Sequence, residues 1–173
     1  MNEKEWLENN RHYNELDESK LTSIFYFTLI WNLFEKKCCN RNATIGTHPE
    51  NISQSVSHLI GEEINRTYDY FRNRYILDTS TRSLFNSFVF GQGDKAEGYK
   101  NFVHEKLNDP DSSQNEKLKT LLYIAFRLRN NLYHGEKDVA KLYAQNENFK
   151  MINSLLMAII DNCRQSSSNS KEE

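Results

Sequence analysis

Residues 113–135, SQNEKLKTLLYIAFRLRNNLYHG, decide how this chain reads. Ser113 followed by Glu116 makes a capping box, and an apolar stripe begins just after it, so a helix is expected from about 113 to 133. At about 100° per residue Leu118, Leu121, Leu122, Ala125, Leu128 and Leu132 fall within one arc, the width of a face turned to a core or a partner helix. Arg129, four residues after Ala125, lies inside that arc, and Arg127 projects to the opposite side. A charge on a buried stripe is costly unless it is paired or hydrogen-bonded. Arg129 therefore reads either as a structural ion pair with a carboxylate of a neighbouring helix or as an anion clamp in a cleft.

Gly135 is the kind of residue that ends a helix in the left-handed conformation, which sets His134 at or beside the cap. The last carbonyls of the helix favour a cation there. That helps keep the imidazole protonated near neutral pH or lets it switch, as a proton donor or acceptor must; a plain capping histidine is the alternative.

Outward from this helix the same periodicity recurs. Residues from about 19 to 39 are apolar on more than one side, with Leu21, Ile24, Thr28 and Trp31 on one face and Phe27, Ile30 and Phe34 on another, as in a central helix or one between subunits. Glu35 is the odd member, either neutralising Arg129 or orienting it within a site. A second helix is expected from about 50 to 75, carrying Ile52, Val56, Leu59, Ile60, Ile64, Tyr68, Phe71 and Tyr75. Within it Arg66, Tyr68, Tyr70, Arg72, Arg74 and Tyr75 interleave base with aromatic. Such a composition either grips phosphates and stacks bases or packs a core beneath a solvated charged face.

Leu84, Phe85, Phe88 and Phe90 predict a short helix near 81–90, followed by a break at Gly91-Gln92-Gly93. A further helix near 95–108 ends before Asp109-Pro110, with His104 read as a surface residue. After the motif a short helix is capped by Asp138, residues 145–148 read as a polar break, and Phe149, Ile152, Leu155, Leu156, Ile159, Ile160 and Cys163 stripe the last helix.

The chain has 173 residues, 38% hydrophobic and 12% aromatic, with two prolines and six glycines. This points to one all-α domain over residues 1–165, an antiparallel bundle of four to six helices, with 166–173 a disordered polar tail. A net charge of −2 excludes coating nucleic acid by bulk electrostatics, so any RNA contact must be local. Cys38, Cys39 and Cys163 show no CxxC spacing, and no HExxH or similar ligand spacing occurs, so neither a disulfide framework, a metal nor a cofactor is expected. The charged N-terminus lacks an apolar h-region and no stretch is long enough to span a bilayer, which makes a cytoplasmic location the expectation.

Arg129 and His134, with Asn130 directly after the arginine and Gly135 directly after the histidine, resemble the RxxxxH motif of the HEPN family of helical domains. Phe27, Trp31, Phe34 and Glu35 resemble the aromatic-rich first helix of HEPN proteins from bacterial toxin and defence systems, and the long apolar C-terminal helix fits as well. The likeness covers roughly residues 18–40 and 113–165; the middle of the chain matches nothing in it.

The resemblance implies a HEPN-like bundle and a metal-independent endoribonuclease acting as a two-fold dimer with a composite site. The ribose 2′-hydroxyl would attack, leaving a 2′,3′-cyclic phosphate and a 5′-hydroxyl. His134 would shuttle the proton, Arg129 would hold the scissile phosphate and Asn130 would support them. Expected RNA contacts are Arg127, Asn131, Tyr133, Arg72 and Arg74, with Glu35 in support. A partner antitoxin or defence-complex protein is also implied, as is the alternative of a non-catalytic module that binds a protein or nucleotide. The tyrosine adenylylated on one toxin branch stands two residues after the histidine, and here that position is Glu136, so such regulation is not implied.

Overall fold

The computed structural model describes residues 2–9, 16–91, 94–133 and 139–163, which form eight α-helices and no strand. In chain order these are α1 (Glu3–Glu8), α2 (Glu18–Cys38), α3 (His48–Val56), α4 (Gly61–Arg72), α5 (Asp94–Asn108), α6 (Gln114–Tyr133), α7 (Val139–Tyr143) and α8 (Asn146–Cys163). The all-α class is as expected. α2, α3, α4, α5, α6 and α8 carry the bundle, the short α3 burying Ile52 and Val56 against α6, while α1 and α7 are short additions.

Local chemistry sets the helix ends. Asp17 caps α2 by accepting from the Ser19 N–H at 3.1 Å, and Lys36 and Lys37 stand at its last turn, where a cation meets the negative end of the helix dipole. The capping box of α6 forms as read: the Ser113 N–H donates to Glu116 Oε2 at 2.9 Å and the Glu116 N–H to Ser113 Oγ at 3.3 Å. Lys106 of α5 adds an ion pair to Glu116 at 2.8 Å, and holds that carboxyl down at about 2.

The bundle is mixed in direction. α5 and α6 form an antiparallel hairpin, with Lys106 against Glu116 and Phe102 against Tyr123. α2 and α8 run parallel. Near their N-terminal ends the Asp17 N–H donates to Tyr143 Oη at 2.6 Å, Phe27 and Phe149 meet edge to face at 4.9 Å between them, and at the C-terminal ends the Cys38 and Cys163 thiols are neighbours. α4 lies antiparallel to α8, tied by Arg66 to Ser154 and Tyr70 to Asn148. Phe27, Phe34, Phe71 and Phe149 are nearly or fully buried in this core, each contributing about 1.5–3 kcal/mol of hydrophobic stabilisation.

The parallel α2–α8 pair departs from the expected antiparallel order, and four further expectations change. The single helix from about 50 to 75 is three pieces: α3, α4 and a π-helical turn over Asn73–Leu77, closed by the Asp78 N–H donating to Asn73 O at 2.8 Å. Ile52, Val56, Ile60 and Ile64 keep a spacing of four straight through the break at 57–60, so the apolar rhythm conceals it. The helix near 81–90 is a 3-10 turn over Arg82–Ser87, with Phe85, Phe88 and Phe90 buried but Leu84 exposed. Gly91, at the expected break, has φ +136°, which only glycine adopts readily.

The third change concerns α6. It is buried on all sides from Leu121 to Leu128, because α3 and α4 cover one side and α5 and the Phe88 segment the other. Arg127 does project away from the Leu stripe, but into packed protein. α2 divides as well: Ile24, Phe27, Trp31 and Phe34, drawn from both expected faces, enter the core, while Phe25, Tyr26, Leu29 and Leu33 stay exposed.

Candidate functional site

Arg129, Asn130 and Asn131 lie half-buried in the last turns of α6, just past the point where its burial ends. Arg129 Nη1 donates to Asn130 Oδ1 at 3.2 Å. The guanidinium is thus turned along the helix end, held beside the amide that follows it in sequence. Tyr133 is the last residue of α6; its side chain, His134, Gly135, Glu136 and the expected cap Asp138 lie outside the described residues.

Glu35 is half-buried on α2, but among the described residues no ion pair joins it to Arg129. Its carbonyl instead accepts from the Cys39 and Arg41 N–H groups and ends the helix, with Asn40 and Arg41 in positive φ. Neither expected role of Glu35 toward Arg129 appears as a direct contact.

Arg127 is 4% exposed, and its guanidinium carbon lies 3.5 Å from the centroid of the Phe88 ring. Nε and Nη1 are buried with no hydrogen-bond partner among the described residues. Burial pushes its pKa down to about 10, opposed by the neighbouring Tyr75 hydroxyl, so it remains a cation at neutral pH.

Arg74 reaches the same place from the π-helical turn. Its Nη2 donates to Ala144 O at 3.0 Å, and its guanidinium carbon lies 5.9 Å from the centre of the Tyr75 ring. The structure therefore gathers Arg74 and Arg127 around Tyr75. A π turn adds one residue to the helical circuit, and this carries Arg74 and Tyr75 to the α7–α8 junction. Arg72 stays on α4 beside Tyr68, and Arg66 is bound to Glu63 at 2.7 Å.

The tyrosines interleaved with these arginines are spent in the core. The Tyr68 hydroxyl donates to Lys106 O and Asp109 O. Tyr70 donates to Asn148 Oδ1 at 2.8 Å, and Asn148 Nδ2 donates to Tyr75 Oη at 3.0 Å and to Gln145 Oε1 at 3.3 Å. Burial raises the pKa of Tyr75, and that of Tyr70 to about 12, so both stay neutral hydroxyls. Of the basic and aromatic run, Arg66 is engaged by Glu63 and Ser154 and Arg74 by Ala144 O, and only Arg72 forms no ion pair or hydrogen bond of its guanidinium among the described residues.

Asn148 is the residue that sequence reasoning missed. Assigned to a polar break, it lies in the first turn of α8 and is fully buried, organising two tyrosines and Gln145. The signal was present: an asparagine four residues before Ile152 lies on the same apolar stripe, where a buried amide must be satisfied.

Among the described residues no three His, Cys, Asp or Glu side chains converge as metal ligands, and no helix is long and apolar enough to cross a membrane. Comparison of the chain with family models, curated proteins and solved structures returns no match.

Proposed function

We propose that this protein is a metal-independent endoribonuclease of the HEPN type, acting as a toxin or antiphage effector. The observation that carries this reading is the adjacent pair Arg129 and Asn130, half-buried and joined at 3.2 Å, at the end of a helix whose preceding turns are fully packed. A helix anchored by buried preceding turns suits catalysis, since the groups that meet a phosphate must be held in place before it arrives. Arg129 clamps the scissile phosphate by a fork of hydrogen bonds and stabilises its added charge, and Asn130 orients the guanidinium. His134 moves the proton of the attacking 2′-hydroxyl.

One arginine and one histidine per chain leave acid and base roles short of groups, so the site is doubled across a two-fold axis. The exposed face of α2 favours that pairing: Phe25, Tyr26, Leu29 and Leu33 form an apolar strip, with Glu18 at one end and Lys36 and Lys37 at the other. Two copies laid antiparallel cover the strip and set acid against base. An antitoxin or defence-complex protein would have to cover the same helix end to silence the enzyme.

The test is incubation of purified protein with mixed RNA in EDTA, beside Arg129→Ala and His134→Ala. Cleavage to 2′,3′-cyclic phosphate ends by wild type, lost in both variants with unchanged circular dichroism, is the expected result. No cleavage by any sample favours the second reading, a non-catalytic module for a protein or nucleotide partner. The net charge of −2 and the use of Arg127 and the tyrosines in the core favour that alternative.

A further inference from the structure

A cavity of about 490 Å³ opens between the π-helical turn, the 3-10 turn and α5, and Arg129 is not among its lining residues. Its volume lies in the range of small-ligand sites, roughly 300–1,000 Å³. Aromatic rings form its floor: Tyr75 and Phe85 are nearly buried, and the exposed His104 ring lies 5.2 Å from the Phe85 ring. Two amides, Asn86 and Asn108, and one guanidinium, Arg82, stand around it.

Polarity and charge narrow the ligand. No carboxylate lines the cavity, while Arg82 is exposed and makes no ion pair among the described residues. The Lys100 ammonium donates to the backbone O of the lining residue Asn86 at 3.0 Å, which brings a second cation to that side of the cavity. Asn108 is braced, its Nδ2 donating to His104 O at 2.8 Å, which leaves its amide oxygen as an acceptor. A planar surface, amide edges and a guanidinium within one recess match a planar heterocycle that carries an anion.

We propose that this cavity binds one nucleotide, its base lying against His104 with its edge toward Asn86 and Asn108, and its phosphate on Arg82. The nucleotide comes from a free pool or from an unstacked position in a single-stranded RNA. In the second case the cavity is a substrate subsite of the ribonuclease, and that part rests on the function proposed above. Tyr75 lines the cavity and packs on Phe88, the ring that carries the buried Arg127.

The experiment measures binding of AMP, adenosine and a fluorescein-labelled single-stranded RNA in EDTA to wild type, Arg82→Ala, His104→Ala and Arg129→Ala. All three positions reach solvent, and circular dichroism checks each fold. Arg82→Ala is expected to weaken AMP by about tenfold or more and leave adenosine unchanged, because a charge-assisted contact to phosphate is lost. His104→Ala is expected to weaken both ligands, and Arg129→Ala neither. AMP that displaces the RNA identifies the chain as the source; AMP that binds without displacing it identifies the free nucleotide, and both support the site. AMP that fails to bind, or binds all variants equally, overturns it. RNA cleavage with no effect of either cavity variant on binding removes the cavity and leaves the nuclease; AMP binding lost in Arg82→Ala with no cleavage by wild type does the reverse.

Discussion

The guanidinium of Arg127 rests 3.5 Å above the centre of the Phe88 ring, with no carboxylate beside it among the described residues. A cation taken out of water is normally matched by an anion, because its desolvation costs several kcal/mol. Here an aromatic face and the Tyr75 hydroxyl stand in for one. Replacing Arg127 with Met keeps the bulk and removes the charge. The expected outcome in urea unfolding is stability unchanged or raised by about 1 kcal/mol. A loss above roughly 2 kcal/mol would show that the guanidinium has an anionic partner.

Asn148 links Tyr70, Tyr75 and Gln145 at full burial. Truncation to Ala strands two hydroxyls in the core and opens a small void, at a cost of about 2–4 kcal/mol. Tyr70→Phe removes a single partner and should cost about 1 kcal/mol. Chemical denaturation of the two variants orders them; equal losses would mean the hydroxyls find other partners.

Acid is expected to weaken the α5–α6 hairpin. Lys106, followed by the Ser113 N–H, holds Glu116 at about 2, below its ordinary 4.5. A carboxyl held down in the folded state stabilises it fully above 4.5, and that contribution is lost as pH falls toward 2. The melting temperature should therefore drop over this window, and Lys106→Met should flatten the drop. An NMR titration of Glu116 with an ordinary midpoint would contradict this. Lys106 is itself raised above 10.5, so its share is present at neutral pH and is lost in alkali.

Charge placed on the exposed strip of α2 should separate the proposed dimer. Leu29 is 55% exposed, so Leu29→Glu costs the monomer little and places like charges across a two-fold contact. Sedimentation should show wild-type dimer and variant monomer, with RNA cleavage falling in parallel. Wild-type protein that sediments as a monomer at tens of micromolar would remove the composite site.

His134→Ala is expected to lower cleavage by about 10²–10⁴-fold, the usual worth of a positioned proton donor or acceptor. Arg129→Lys tests the fork. An ammonium keeps the charge but not two parallel donors, so partial loss is expected where Ala gives complete loss. Single-turnover cleavage of a labelled RNA reads both, and full activity in the lysine variant would reduce Arg129 to a point charge.

Periodicity and caps are local properties, and those parts of the chain were legible as sequence. Ser113 and Glu116 mark the start of α6 because the capping bonds lie within one turn, and the apolar stripes of α2, α6 and α8 show that the protein is all-α. The resemblance at Arg129, Asn130 and His134 is likewise a matter of residue order. What surrounds each side chain depended on packing between distant elements. The break between α3 and α4 left the apolar spacing intact, Arg127 was buried by a Phe88 that no helical pattern could align with it, and Asn148 became a hub only when α4 and α8 met. Helical phase states which way a residue points; the protein that covers it there is set by the other end of the chain.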